Sequence, residues 1–219
     1  KLQFLMESNK DRFSTDLISK ENLAAVSGQI IPPDADVNQI GFQVDFGSLK
    51  FDRDLQIGNV LSVQAKVGLP KSGDQFSTIK AELRSYSYFY RDWIFAQRLK
   101  LGFTDTSILQ YWNYLGGLDS IRGFLDNRFA TRTYWLSNSE VRKFVFERPN
   151  WVLQGIAFVD LLGIDESKRK IENVTGASTG IGFRDIMKKI YRLVFRFDFA
   201  KPIVNQDSEN ISFGIQQFF

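Results

Sequence analysis

Apolar and polar residues alternate along much of this chain. The clearest ladder lies near the C-terminus, where Tyr191, Leu193, Phe195, Phe197 and Phe199 share one face and Arg192, Val194, Arg196 and Asp198 the other. A period of two is the mark of a β-strand, because successive side chains point to opposite faces of a sheet. The pattern recurs upstream. Ile40, Phe42, Val44 and Phe46 alternate with Gly41, Gln43 and Asp45, and Leu61, Val63, Ala65 and Val67 with Ser62, Gln64 and Lys66. Ile79, Ala81 and Leu83 alternate with Lys80, Glu82 and Arg84, and Leu99, Leu101 and Phe103 with Arg98, Lys100 and Gly102. In the last segment Ile211, Phe213, Ile215, Gln217 and Phe219 share a face. Segments near 1–8, 22–31, 131–146, 151–161 and 177–187 read as further strands, and FDRD (51–54), PKSGD (70–74) and DESKRKIEN (165–173) as connections. A helical bundle is excluded, since the faces opposite the apolar ladders carry full charges.

The composition narrows what the strands build. Phe accounts for 21 of 219 residues and aromatics for 15%, yet the mean hydropathy is −0.20. No stretch reaches the ~18 consecutive apolar residues of a spanning helix. Apolar residues dispersed by alternation suit the wall of an antiparallel transmembrane β-barrel, with one face toward lipid and the other toward a wet lumen. A soluble β-sandwich alternates too, so alternation by itself leaves both open. Spanning strands of ~9–11 residues with their turns take about eighteen residues each, which predicts about twelve strands. The whole of 1–219 reads as one all-β barrel domain. The aromatic group Tyr88, Phe89, Tyr90 and Trp93 fits either a membrane-interface girdle or a packed loop. The first ten residues, KLQFLMESNK, hold no signal-peptide core, so an outer-membrane destination would require a cleaved signal upstream.

With no Cys and no His, the chain has no disulfide, no thiolate chemistry, no Cys/His metal site and no Ser-His or Cys-His dyad. The net charge of +3 comes without a dense basic run, so nucleic acid is not an expected partner. No cofactor, metal or catalytic constellation is expected. The longest non-alternating stretch is 104–127, with Gly116, Gly117, Gly123 and the aromatics Tyr111, Trp112 and Tyr114. Long loops in compact domains are usually functional or disordered, and this content argues against disorder.

Within that loop, YLGGLDSIRGF (114–124) resembles the loop motif of the outer-membrane assembly factor superfamily, which includes BamA, TamA, the mitochondrial sorting proteins and the two-partner secretion translocators. In that superfamily an [I/V]RG[F/Y] tetrapeptide sits at the tip of a loop folded into the barrel, here Ile121, Arg122, Gly123 and Phe124. Further similarities follow in order: SNSEVR (137–142), GIAFVD (155–160), TGIGFRD (179–185) with Gly180 and Gly182, and RFDFAKP (196–202) with Arg196 and Asp198. The terminal ISFGIQQFF is similar to an outer-membrane targeting signal, carried here by Phe213, Ile215 and Phe219.

The resemblance implies the C-terminal part of such a barrel, or a relative without the superfamily's periplasmic POTRA domains. It implies that 104–127 enters the lumen and that Arg122 meets acids on the next two strands, which are Glu140 and Asp160. Strand parity permits this, since Asp160 shares its face with Gln154, and Glu140 with Asn138 and Arg142. It further implies a place in the bacterial outer membrane, contact with lipid and with the barrel-assembly machinery, and a role in inserting or translocating client outer-membrane proteins. A structural, lipid-contacting or pore-forming barrel, a homo-oligomer whose second chain completes the wall, and the anchor of a lipase-type domain are the alternatives. The Gly180–Gly182 pair is no dinucleotide fingerprint, because no helix start follows it.

Overall fold

The computed structural model describes residues 1–11, 35–52, 55–165, 174–187, 193–204 and 210–215. Among the described residues, twelve strands follow one another: β1 (Leu2–Asp11), β2 (Ala35–Asp52), β3 (Leu55–Pro70), β4 (Phe76–Tyr90), β5 (Trp93–Thr104), β6 (Asn113–Leu115), β7 (Phe129–Thr131), β8 (Thr133–Glu147), β9 (Trp151–Ile164), β10 (Gly176–Met187), β11 (Leu193–Val204) and β12 (Asn210–Ile215). Ten of them form one antiparallel sheet in the order β1-β2-β3-β4-β5-β8-β9-β10-β11-β12, and β6 pairs with β7 alone. The twelve strands therefore divide into ten of the wall and two of the loop between β5 and β8. Wall strands such as β2, with 18 residues, and β3, with 16, exceed the ~9–11 needed to cross, so fewer of them use up the chain. Among the described residues β1 and β12 are not paired with each other. The strand expected over 22–31 lies outside the described residues, as does Tyr191.

Connections at one end are short, with Arg91 and Asp92 joining β4 to β5 and 148–150 joining β8 to β9. This is the turn end. At the opposite, loop end, 105–132 joins β5 to β8 and 165–175 joins β9 to β10.

The alternation resolves into two faces. Phe42 and Phe46 on β2, Leu61 and Val67 on β3, Leu99, Leu101 and Phe103 on β5, and Phe197 and Phe199 on β11 are exposed on the outward face. Arg98 on β5, Glu140 and Arg142 on β8, Asp160 on β9 and Arg196 and Asp198 on β11 are buried on the concave face. Apolar side chains exposed in such numbers are what a lipid-facing wall requires.

The concave face is layered. Toward the loop end, Leu115, Ile121, Phe124 and Phe129 of the loop pack on Tyr134, Leu136, Leu162 and Ile164 of the wall. Toward the turn end, Ile94, Val152, Ile186 and Val194 pack together, with Ile57, Tyr88 and Phe144 against them. The charged side chains lie between these layers. Val194 thus belongs to a buried apolar cluster, although its neighbours on the same face of β11 are charged.

Parity can be tested on two adjacent residues of β3. Leu61 is exposed on the outward face, whereas Ser62 borders an interior cleft and lies opposite Glu82 on β4. A cation toward the centre of the lipid face costs ~2–4 kcal/mol. Leu61→Arg should lower the yield of protein folded into vesicles strongly, and Ser62→Arg should leave it near wild type. Gel-shift folding assays read both, and equal effects would mean that the faces are assigned wrongly.

Candidate functional site

The site begins with the loop between β5 and β8. A 3-10 turn, Leu109–Tyr111, leads into β6, whose pairing with β7 makes a short hairpin, and residues 116–128 form its tip. The tip is tied to itself and to the wall. The Gly117 N–H donates to the Phe124 carbonyl (3.0 Å), and the Ser120 hydroxyl to the Gly116 carbonyl (2.8 Å). From the wall, Asn138 Nδ2 donates to the Ser120 carbonyl and Arg98 Nη2 to the Asp119 carbonyl, both at 2.8 Å. Gly123 has φ +87°, the left-handed region that favours glycine, and a Cβ there would lie 3.3 Å from Ala200 and Pro202 on β11. The tip thus rests close against the inner wall, and a side chain at this position would strain the backbone and press on both residues.

This placement puts Arg122 on the charged layer. Its Nε and Nη2 each donate to one oxygen of Asp160 at 2.7 Å, a bidentate fork, and its Nη1 donates to Glu140 Oε1 at 2.6 Å. The backbone N–H of Arg122 also donates to Asp160 (3.1 Å). The guanidinium carbon lies 3.5 Å from the centre of the Phe158 ring, a cation–π stack on the inner wall. Arg122, Glu140 and Asp160 are all fully buried.

The three residues belong to a wider ionic layer. Arg142 Nε donates to Glu140 Oε2 (2.8 Å), Arg184 Nη1 to Asp198 Oδ1 (2.6 Å), and Arg184 Nη2 reaches Glu140 Oε1 at 3.4 Å. Arg196 also donates to Asp198, and Arg122 Nη1 stands 3.7 Å from that carboxylate. Four guanidinium groups thus share three carboxylates. A dry charge is tolerable only when its donors or acceptors are met this fully. Among the described residues no group of three or more His, Cys, Asp or Glu side chains is arranged to hold a metal.

The paired glycines of β10 make room for this layer. A Cβ on Gly180 would strike the ring of Phe158, and one on Gly182 the carboxylate of Asp198. Glycine at these strand positions marks close approach by a neighbour, so the G-x-G pair admits the ring on which Arg122 stacks and the acid that binds Arg184 and Arg196. Ile121 and Phe124, flanking Arg122 and Gly123, are buried in the loop-end apolar layer, where Phe124 meets Phe129 edge-on at 5.3 Å. Phe213 and Ile215 lie on β12, in register with Phe197 and Phe195 of β11, and Phe219 lies outside the described residues.

The sequence reading did not single out Phe158, Arg142 or Arg184 for the site. Parity carried the signal, since Phe158 shares its face with Asp160, Arg142 with Glu140, and Arg184 with Gly182. Within the lumen the charged layer itself is buried, beneath the loop and between the two apolar layers. A cleft of about 730 Å³ remains beside them, between the loop and the inner faces of β2–β5, bordered by Lys80, Glu82, Lys100, Trp112, Asp119 and Tyr134.

A family model described as the Omp85 superfamily domain matches residues 36–219. The fold is similar to the crystal structure of BamA from Haemophilus ducreyi lacking POTRA domains 1–3, with a TM-score of 0.69 and 16% sequence identity, over 97% of this chain and 49% of that one. The chain therefore spans about half the length of that structure. A search of curated proteins gave no match.

Because the charges are dry, removing one leaves its partner buried and unmet, at ~3–5 kcal/mol. Arg122→Ala should lower stability by about that amount and expose the 104–127 loop to protease in the folded protein. Asp160→Ala should do the same, and the double variant should be little worse than either single, because both delete one interaction. Denaturant titration with limited proteolysis checks this. Strictly additive losses would mean that Arg122 and Asp160 act separately.

Proposed function

The chain belongs to the Omp85 superfamily, and from that premise we propose that residues 1–219 form a single transmembrane barrel domain of the bacterial outer membrane that acts in inserting or translocating client proteins there. The observation that carries this reading is the anchored loop. Arg122 fixes 105–132 against the concave face of an outer-membrane barrel wall, and the layers above and below it are dry. The loop and its layers fill the lumen beside β8–β11 and leave a cleft of about 730 Å³ beside β2–β5, so the anchoring of the loop is what supports work at the wall. Strand edges supply it, because unpaired N–H and C=O groups template an incoming strand. Among the described residues, β1 and β12 are the edges of this sheet. The fixed loop holds the wall behind those edges at one curvature while a client strand docks. In the same reading the terminal segment with Phe213, Ile215 and Phe219 is the part that the barrel-assembly machinery recognises when this chain is itself delivered.

The test is reconstitution. Vesicles carrying the protein should fold an added outer-membrane barrel client faster than empty vesicles, and planar bilayers carrying it should show no porin-like steady conductance. A client folding rate equal to that of empty vesicles would favour a barrel that keeps the fold without the activity, and a large steady conductance would favour the pore.

A further inference from the structure

We propose that the outward face at the turn end of β5, β8 and β9 binds the phosphate headgroup of an anionic glycerophospholipid, phosphatidylglycerol in chemical class, from the leaflet on that side. The proposal rests on the membrane-barrel reading but not on the insertion or translocation activity.

The argument starts from one charge on an apolar face. On β8 the outward side chains near the turn end are Val141, Lys143 and Val145, while Arg142 points inward and is buried. Lys143 is exposed, and its register partners are Trp93 on β5 and Gly155 on β9, with Phe183 next in the row on β10. Its ammonium lies 5.1 Å from the centre of the Trp93 ring. A lysine at that level keeps its apolar stem along the wall and its head at the polar boundary, and the ring adds a cation–π attraction that holds the head in place.

Two more cations are held the same way nearby. Arg148, in the turn between β8 and β9, lies 4.9 Å from the Phe146 ring, and Phe146 packs on Trp151 at 4.9 Å. The turn is closed by hydrogen bonds between Arg148 and Trp151 backbones in both directions (2.9 and 3.3 Å). Arg91, in the turn between β4 and β5, lies 5.5 Å from the Tyr90 ring, and Phe89 packs on Trp93 at 6.1 Å. Among the described residues, Lys143, Arg148 and Arg91 form no ion pair. The same turn end carries Asp92 and Glu147, and Asp185 stands on the outward face of β10 opposite Leu153, so these three cations are held by aromatic rings and not by the neighbouring acids.

The outward row also has a gap. Gly155 places no side chain between Lys143 and Phe183, and a Cβ built there would meet only Val145, at 3.3 Å. The result is a shallow notch bordered by Val145 and Phe183, directly beside Lys143. A headgroup phosphate between Lys143 and Arg148 would let its acyl chain lie in this notch, with Trp93 and Trp151 at the glycerol level where such rings prefer to sit. In outer-membrane barrels short turns face the periplasm and long loops the exterior, which assigns the site to the phospholipid leaflet.

The experiment uses the full chain folded into phosphatidylcholine vesicles doped with phosphatidylglycerol bearing brominated acyl chains, which quench tryptophan on contact. Wild type should be quenched at a lower phosphatidylglycerol fraction than Lys143→Gln/Arg148→Gln, by about 25-fold, since each of the two interfacial cations contributes about fivefold to anionic-lipid binding. Lys201→Gln, which removes an exposed charge near the loop end of β11, should match wild type. Gly155→Leu should weaken quenching with every charge kept. Brominated phosphatidylcholine should quench all variants alike. Wild type responding equally to both brominated lipids, or the double variant responding like wild type, would overturn the proposal. Failure of wild type to fold into any vesicle would instead defeat the barrel reading on which it stands.

Discussion

A guanidinium removed from water must have its hydrogen bonds met, and that constraint on Arg122 organises the inside of this protein. Its fork takes both oxygens of Asp160 and one of Glu140, so two neighbouring strands must carry acids at diagonal positions two residues apart in register. The face of the guanidinium rests on Phe158, so β10 must offer glycine where the ring lies. The loop must be long enough to carry Arg122 down to the acids and stiff enough to keep it there. The β6–β7 hairpin provides the stiffness. Because a buried pair gains little over a well-packed apolar core and costs much when broken, the arrangement is better understood as fixing one position of the loop than as adding stability.

The layers on either side follow from the same constraint. Water at the charged layer would screen the ion pairs and leave the loop loosely held. The loop-end cluster around Ile121 and Phe124 and the turn-end cluster around Ile94, Val152, Ile186 and Val194 exclude it. Small barrels are usually filled by their own side chains; here a connection between strands shares in the filling, and the charges it brings are shared among Arg142, Arg184 and Arg196 as well. The outward face answers to a different medium, so its few charges collect where the strands leave the lipid.

Much of this was legible in the alternating pattern. The ladder on β11 separates Phe197 and Phe199 from Arg196 and Asp198, and the structure places the first pair outside and the second inside. The motif order named Arg122, Glu140 and Asp160, and these three side chains are in contact. Other features left no periodic trace. Strands β6 and β7 have three residues each, too few to show a period, so the loop read as irregular. Phe158 carried no mark of its own in the sequence beyond its parity with Asp160, and only the structure supplied the partner that stacks on it. Val194 looked like an apolar exception on a polar face, because no single strand reveals the layer it shares with Ile94, Val152 and Ile186.

By itself the sequence determined the class of structure, which strands have two unlike faces, and the residues set apart by the loop motif, because period and parity are properties of one strand at a time. The tertiary structure decided how the strands divide between wall and loop, how far the loop descends, and that Arg122 is dry. Those depend on the register between strands distant in the chain and on which side chains meet across the concave face. Exclusion of water is a property of the assembled layers, and no segment carries it alone.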